Sequence, residues 1–194
     1  MKVVIMRHGR PEMDLDMLKK TKMSSEAVGN IVVEYEDVSL ATDSFPTSAA
    51  LNIASQCNAS VSSDLTRAIE SSQRLNVGDD HATMSIFQES TMPYFEWKKP
   101  NLPFFTWALT YRLLWLLGFA KNGESIRIAK QRARECADYI ESRSAECGTL
   151  LVVGHGIINR LIMTELKKRK WTLSESNGDD YWSYRVMSTD LSAS

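Results

Sequence analysis

Two short apolar runs constrain this chain most, because each stops abruptly at a histidine beside glycine. Near the start, Val3-Val4-Ile5-Met6 gives way to Arg7-His8-Gly9-Arg10; far downstream, Leu150-Leu151-Val152-Val153 gives way to Gly154-His155-Gly156. Runs this short and this rich in β-branched side chains suit buried strands and are too brief for helices. In open parallel sheets, ligands gather at the carboxyl ends of the strands. Two of the chain's three histidines, His8 and His155, therefore fall where such a sheet would present them; the third is His81. Glycines around His155 permit a tight strand-to-helix turn and leave the ring uncovered. A core histidine would have no need of such a turn.

Between these runs, strand and helix signals follow one another, as in an α/β fold with a mostly parallel sheet. Residues 11–45 are weakly periodic: Met13, Leu15, Met17 and Leu18 suggest a helical turn, and Ile31-Val32-Val33 an extended piece. They read as a loop leaving the first strand and passing near the site mouth. Pro46-Thr47 opens a helix with Ala49, Ala50, Ile53 and Ala54 inward. Ala59 to Ser63 is a second strand, and Ser63 or Asp64 caps a helix from Leu65 to about Leu75. Arg67 sits in that first helical turn, repeating the order strand, polar turn, cation; taken alone it reads as a solvated helix residue. Met84 to Phe87 reads as a third strand with Glu89 just beyond it. Taken alone, Glu89 is an exposed loop carboxylate.

The segment Met92 to Gly123 is unusually aromatic, with Trp97, Trp107 and Trp115. It reads as a loop and an apolar helix packed on the core, or as a cap or lid over the site, within a single domain spanning residues 1–194. A long helix runs from Glu124-Ser125 to about Ser144 with Ile126, Ala129, Ala133, Cys136, Ala137 and Ile140 on one face. Its cations Arg127, Lys130, Arg132, Arg134 and Arg143 are interspersed with Glu135, Asp138 and Glu141, the pattern of a solvated face. Tyr181 to Met187 is a last strand, at an edge.

A net charge of -1 over 194 residues gives no general attraction to nucleic acid, so any anion affinity is local. Three cysteines without a C-x-x-C pair argue against both a disulfide framework and a thiolate metal site, and fit a reducing cytosol. The first residues are too short an apolar stretch for an export signal, which points to a cytoplasmic protein. Residues 102–119 are lipid-like, but Pro103, Thr106, Thr110 and Arg112 interrupt them short of a membrane span. With Lys98, Lys99 and Lys121 on its flanks, this segment is a candidate for weak membrane contact or self-association; core packing is the plainer reading. Two histidines and a glutamate could ligate zinc, but two arginines in the same place would oppose a divalent cation.

Together, Arg7-His8-Gly9, Ser62-Ser63-Asp64-Leu65-Thr66-Arg67-Ala68, Glu89, Gly123-Glu124-Ser125 and Val153-Gly154-His155-Gly156 resemble the histidine phosphatase superfamily, or phosphoglycerate mutase-like family. They come in the family's order across nearly the whole chain. The resemblance implies a three-layer α/β/α sandwich with a mostly parallel central sheet, here carrying an aromatic helical insertion. It implies a metal-independent phosphatase without cofactor, acting on a phosphorylated small molecule or protein. By the same analogy His8 is the nucleophile and Arg7, Arg67 and His155 bind the phosphoryl oxygens. Glu89 resembles the proton donor to the leaving oxygen, with Glu96 as its rival. Arg10, where relatives often have an acidic or small residue, would add a cation for substrate or would face water. Two other readings stay open at this point: a phosphoglycerate mutase-like phosphoryl transferase, and a non-catalytic member that binds a phosphorylated ligand.

Overall fold

A computed structural model describes residues 1–13, 17–18 and 21–190. Of the expected helical turn, Leu15 lies outside the described residues. The chain forms two compact units, one of residues 1–11, 39–89 and 132–194, the other of residues 12–38 and 90–131.

The first unit is built on a six-stranded sheet. In chain order its strands are β1 (Lys2–Arg7), β3 (Ala59–Ser62), β4 (His81–Thr83), β6 (Thr149–Gly154), β7 (Thr172–Ser176) and β8 (Tyr184–Ser188). Their spatial order is β4-β3-β6-β1-β8-β7. The first four are parallel neighbours; β8 pairs antiparallel with β1, and β7 with β8. The apolar runs that mark β1 and β6 are thus central and adjacent, with Arg7 opposite Gly154.

Because side chains alternate across a strand, each run feeds two cores. Val3, Ile5, Val61, Leu150 and Val152 pack with one set of helices, α5 (Ile126–Cys147) and α6 (Gly156–Lys168). Val4, Met6, Leu151 and Val153 pack on the other face with α2 (Ser48–Ala54) and with Leu75, which ends α3 (Thr66–Arg74). The result is the expected three-layer α/β sandwich with a mostly parallel sheet.

Several local expectations are corrected. The third strand is His81–Thr83, and Ser85–Phe87 is a turn of 3-10 helix whose Phe87 and Gln88 N–H groups bond back to Met84 and Ser85. The last strand is not an edge; the edge is β7, every residue of which is exposed, so it carries no alternation to read. The cap of α3 is Leu65, without a side-chain bond, while Ser63 Oγ accepts only from the Leu65 N–H. In α2, capped by Thr47, Ala49 points outward.

In the second unit, Ile31-Val32-Val33 is not extended but lies inside α1 (Ser25–Glu36), whose N-terminus is capped by Ser24 Oγ. Strands β2 (Lys22–Met23) and β5 (Leu102–Pro103) pair antiparallel, and α4 (Phe104–Leu116) follows. Val28, Trp107 and Tyr111 form its core, with Trp115 also buried. The polar ends of these aromatics are satisfied: Trp107 Nε1 donates to the Met23 carbonyl, Trp115 Nε1 to that of Glu124, and the Tyr111 hydroxyl meets Ser25 Oγ. Ser125 Oγ accepts the Ile128 N–H at the start of α5.

Candidate active site

The carboxyl ends of β3, β6 and β1 are stitched together by backbone bonds: Ser63 N–H donates to Val153 O and His8 N–H to Gly154 O, both at 3.0 Å. Sheet pairing thereby brings three distant segments to one edge. His8 is 2% exposed, Arg67 1% and His155 0%; the arginine read singly as solvated is among the most buried side chains. The two imidazole rings lie 4.9 Å apart between centroids.

The loop after β1 is held from three sides. Gly9 N–H donates to Ser71 Oγ, which donates onward to the Arg67 carbonyl. Arg10 N–H donates to Ser44 Oγ, which also accepts from Trp182 Nε1. The Trp182 ring lies so close over Gly9 that any Cβ there would collide with it. Trp182 itself adopts φ of 62°, a left-handed conformation unfavourable for a side-chain-bearing residue. The loop 179–182 thus forms a wall of the site; Tyr181 and Trp182, expected to open the last strand, lie in this turn, and the strand begins at Tyr184. Tyr181 on that wall stacks against the Arg7 guanidinium at 4.3 Å, and Arg7 Nη1 donates to the Asp179 carbonyl at 2.9 Å.

His8 Nδ1 lies 2.6 Å from the carbonyl oxygen of Gly9. A carbonyl only accepts, so Nδ1 carries the proton and Nε2 of the neutral ring bears the lone pair. Burial pushes the His8 pKa well below the ordinary value, and the charges of Arg67 and Arg7 push the same way against the Gly9 bond. His155 is lowered as well, first by burial and then by His8, Arg67, Arg7 and Arg132. Both ring nitrogens of His155 and Nε of Arg7 are buried without a hydrogen-bond partner among the described residues. Buried polar atoms are rarely left so, and a ligand with acceptor oxygens would take the Arg7 Nε–H and the one N–H that a neutral His155 ring carries.

Glu89 approaches from the other side. Its carboxylate accepts from the N–H groups of Ile157 and Ile158, at the N-terminus of α6 where the helix dipole favours an anion. A Cβ at Gly156 would stand in ordinary contact with Glu89 Oε2 at 3.7 Å and Arg7 Nε at 3.9 Å, so the acid and the cation both border this turn. The stretch leading to Glu89 is pinned by Arg132, which donates to the carbonyls of Ile86 and Gln88 at 2.8 and 2.6 Å. Arg132 had read as part of a solvated helix face; only the fold shows what it holds.

Arg7, His8, Arg67, Glu89 and His155 are thus gathered at one sheet edge. Arg10 instead turns its half-exposed guanidinium to Asp43. Glu96, the rival acid, lies in the second unit and is exposed. Among the described residues no cluster of histidine, cysteine and carboxylate groups could hold a metal ion. The three cysteines form no disulfide with one another; Cys136 is buried and Cys57 and Cys147 are half-buried. No helix among the described residues is long and apolar enough to cross a membrane.

Residues 3–190 match the sequence profile of the histidine phosphatase superfamily, branch 1. No curated protein matches the chain in sequence. Among solved structures, Bacillus stearothermophilus YhfR is similar with a TM-score of 0.64 at 16% identity, covering 98% of this chain and 92% of its own. A mycobacterial glucosyl-3-phosphoglycerate phosphatase in complex with VO3 gives a TM-score of 0.54 at 20% identity, covering 86% and 82%. An Entamoeba histolytica phosphoserine phosphatase in complex with 3-phosphoglyceric acid gives 0.55 at 20% identity, covering 90% and 86%. At these identities the likeness establishes a shared fold.

Proposed function

Since the chain belongs to the histidine phosphatase superfamily, we propose that it hydrolyses a phosphomonoester, of a small metabolite or a phosphoprotein, through a covalent phosphohistidine on His8. The observation that carries this reading is the His8 tautomer: Nδ1 is committed to the Gly9 carbonyl, and Nε2 stands unprotonated among arginines. A buried neutral imidazole beside cations is a poor base for bulk water but a ready nucleophile toward an anionic phosphoryl group.

In the proposed reaction Nε2 attacks phosphorus as the bond to the ester oxygen breaks. Arg7, Arg67 and His155 hold the phosphoryl oxygens, where charge gathers in the transition state. Guanidinium groups suit this because they offer paired, fixed donors. Glu89 gives a proton to the leaving oxygen, and the helix N-terminus steadies the carboxylate that remains. As a carboxylate it then takes a proton from the water that cleaves the P–N bond, releasing inorganic phosphate and restoring His8. The N–H groups of Ile157 and Ile158 hold Glu89 in position for this exchange, Oε1 accepting from both and Oε2 from Ile157. No step calls for a metal ion. The names of two similar structures, glucosyl-3-phosphoglycerate phosphatase and phosphoserine phosphatase, support a monoester substrate.

The test is turnover of a panel of phosphomonoesters in the presence of chelator, with His8→Ala as the control. We expect activity that survives the chelator and falls by a factor on the order of a thousand or more in the variant. Acid-labile, base-stable phosphate should be trapped on the parent chain and not on His8→Ala. Full turnover in the variant would sink the nucleophile assignment.

A further inference from the structure

Helix α4 is apolar on both sides. One side, with Trp107, Tyr111 and Trp115, is buried in the core of the second unit. At 100° per residue, Phe105, Leu109, Leu113, Leu116 and Leu117 fall on the opposite side. They are exposed there, Leu109 by 63%, Leu116 by 62% and Leu117 by 77%, and Phe119 just beyond extends the ridge. Its polar neighbours are Thr106, Thr110 and the half-buried Arg112, whose guanidinium donates to the Ser90 carbonyl. A contiguous apolar ridge of this kind is seldom left to water without a partner.

The charges around the ridge indicate which partner. From Trp97 to Gly123 the chain holds Lys98, Lys99, Arg112 and Lys121 and not one acidic residue. Lys98 and Lys99 are exposed before the helix and Lys121 after it, and Trp97 is itself 52% exposed. A two-fold contact between two copies would set the same surface against itself, cation facing cation. An anionic bilayer meets both requirements, with headgroups for the lysines and an acyl boundary for the ridge. Thirteen residues of helix cover about 20 Å, less than the hydrocarbon thickness, so the helix would lie in the interface and not span it.

We propose that the exposed face of α4, with Lys98, Lys99 and Lys121, docks this protein reversibly on membranes bearing anionic lipid. The proposal stands independently of the phosphatase reading.

The test is co-sedimentation of the full chain with phosphatidylcholine vesicles with and without 30 mol% phosphatidylserine (a composition of about that order), at low and at high salt. We expect binding to the anionic vesicles alone, weakened by salt. Leu109→Ser/Leu113→Ser should release the chain to the supernatant. Lys98→Gln/Lys99→Gln/Lys121→Gln, which neutralises three charges, should weaken binding by on the order of a hundredfold, about fivefold for each lysine lost. A parent chain that stays in solution with every vesicle overturns the proposal. So does one that sediments equally with neutral vesicles regardless of the lysines. Light scattering that shows a dimer abolished by the leucine changes, without vesicle binding, would reassign the ridge to self-association.

Discussion

The state of His8 is set by three surroundings: its burial, the guanidinium groups of Arg67 and Arg7, and the Gly9 carbonyl. The first two oppose a proton on the ring, and the third chooses which nitrogen keeps the remaining one. With its pKa below the ordinary 6.5, the free enzyme holds His8 neutral well into the acid range. The acid limb of a kcat/KM profile due to this group should therefore fall below pH 6.5, and activity should persist where an ordinary histidine is already protonated. A limb centred at or above 6.5 and lost in a His8 variant would contradict that. Gly9 serves the same end, since a methyl group there would drive into Trp182 and displace the carbonyl that orients the ring. The positions of His8 and His155 were legible in the sequence, because a β-branched run and a glycine turn leave few other readings. The burial of Arg67 was not, and Tyr181 and Trp182 read as the start of the last strand where the structure has the turn that walls the site. Burial of a helix cation depends on what crosses above it, and a positive φ at tryptophan follows no local rule.

Among the elements, the long helix α5 acts on the site through Arg132. Its guanidinium takes the carbonyls of Ile86 and Gln88, and Cys136 Sγ also approaches the Ile86 carbonyl at 3.1 Å. Together they fix the turn from which Glu89 extends. Arg132→Leu should lose bonds worth about 1.5–3 kcal/mol in stability and let that turn drift. The informative readout is leaving-group dependence. Turnover of alkyl phosphomonoesters, whose oxygen needs a proton, should fall by roughly ten- to a hundredfold. Turnover of p-nitrophenyl phosphate, whose phenolate leaves unaided, should fall much less. Equal losses on both would make Arg132 merely structural. This turn is also where the sequence misled: Met84, Ile86 and Phe87 look like strand residues, yet backbone bonds close them into a 3-10 turn. The three-residue strand before it has almost no apolar pattern to detect. In α1 the Ile31-Val32-Val33 run lost its β preference to tertiary context, since Val28 and Gly29 on the same helix are buried.

Over the whole molecule, two histidines buried beside arginines make stability depend on pH. Both have folded-state pKa values below their unfolded value near 6.5. The unfolded chain therefore binds more protons once the pH drops below that value. Their contribution is fully present above pH 6.5 and is lost as the pH falls toward the folded pKa values, each proton steepening the slope by up to about 1.4 kcal/mol per pH unit. Chemical unfolding between pH 7 and 5, without phosphate, should show this decline, and His8→Asn/His155→Asn should flatten it. A slope unchanged in the double variant would mean that other groups drive it. The α/β class and the order of the site segments could be read from the sequence because each strand announces itself by a few residues. Which strands sit side by side could not, since pairing is a property of the finished sheet. That pairing has a consequence for how the protein comes into being. Strand β1 has no near neighbour in sequence: Lys2 pairs with Thr149 on one side and Ser188 on the other. While the chain is being made, the segment bearing His8 emerges well before both strands that flank it and waits unpaired until they have followed. Long-range pairing of this kind slows folding and exposes apolar segments meanwhile. His8 thus finds its place only after both partner strands of β1 have been made.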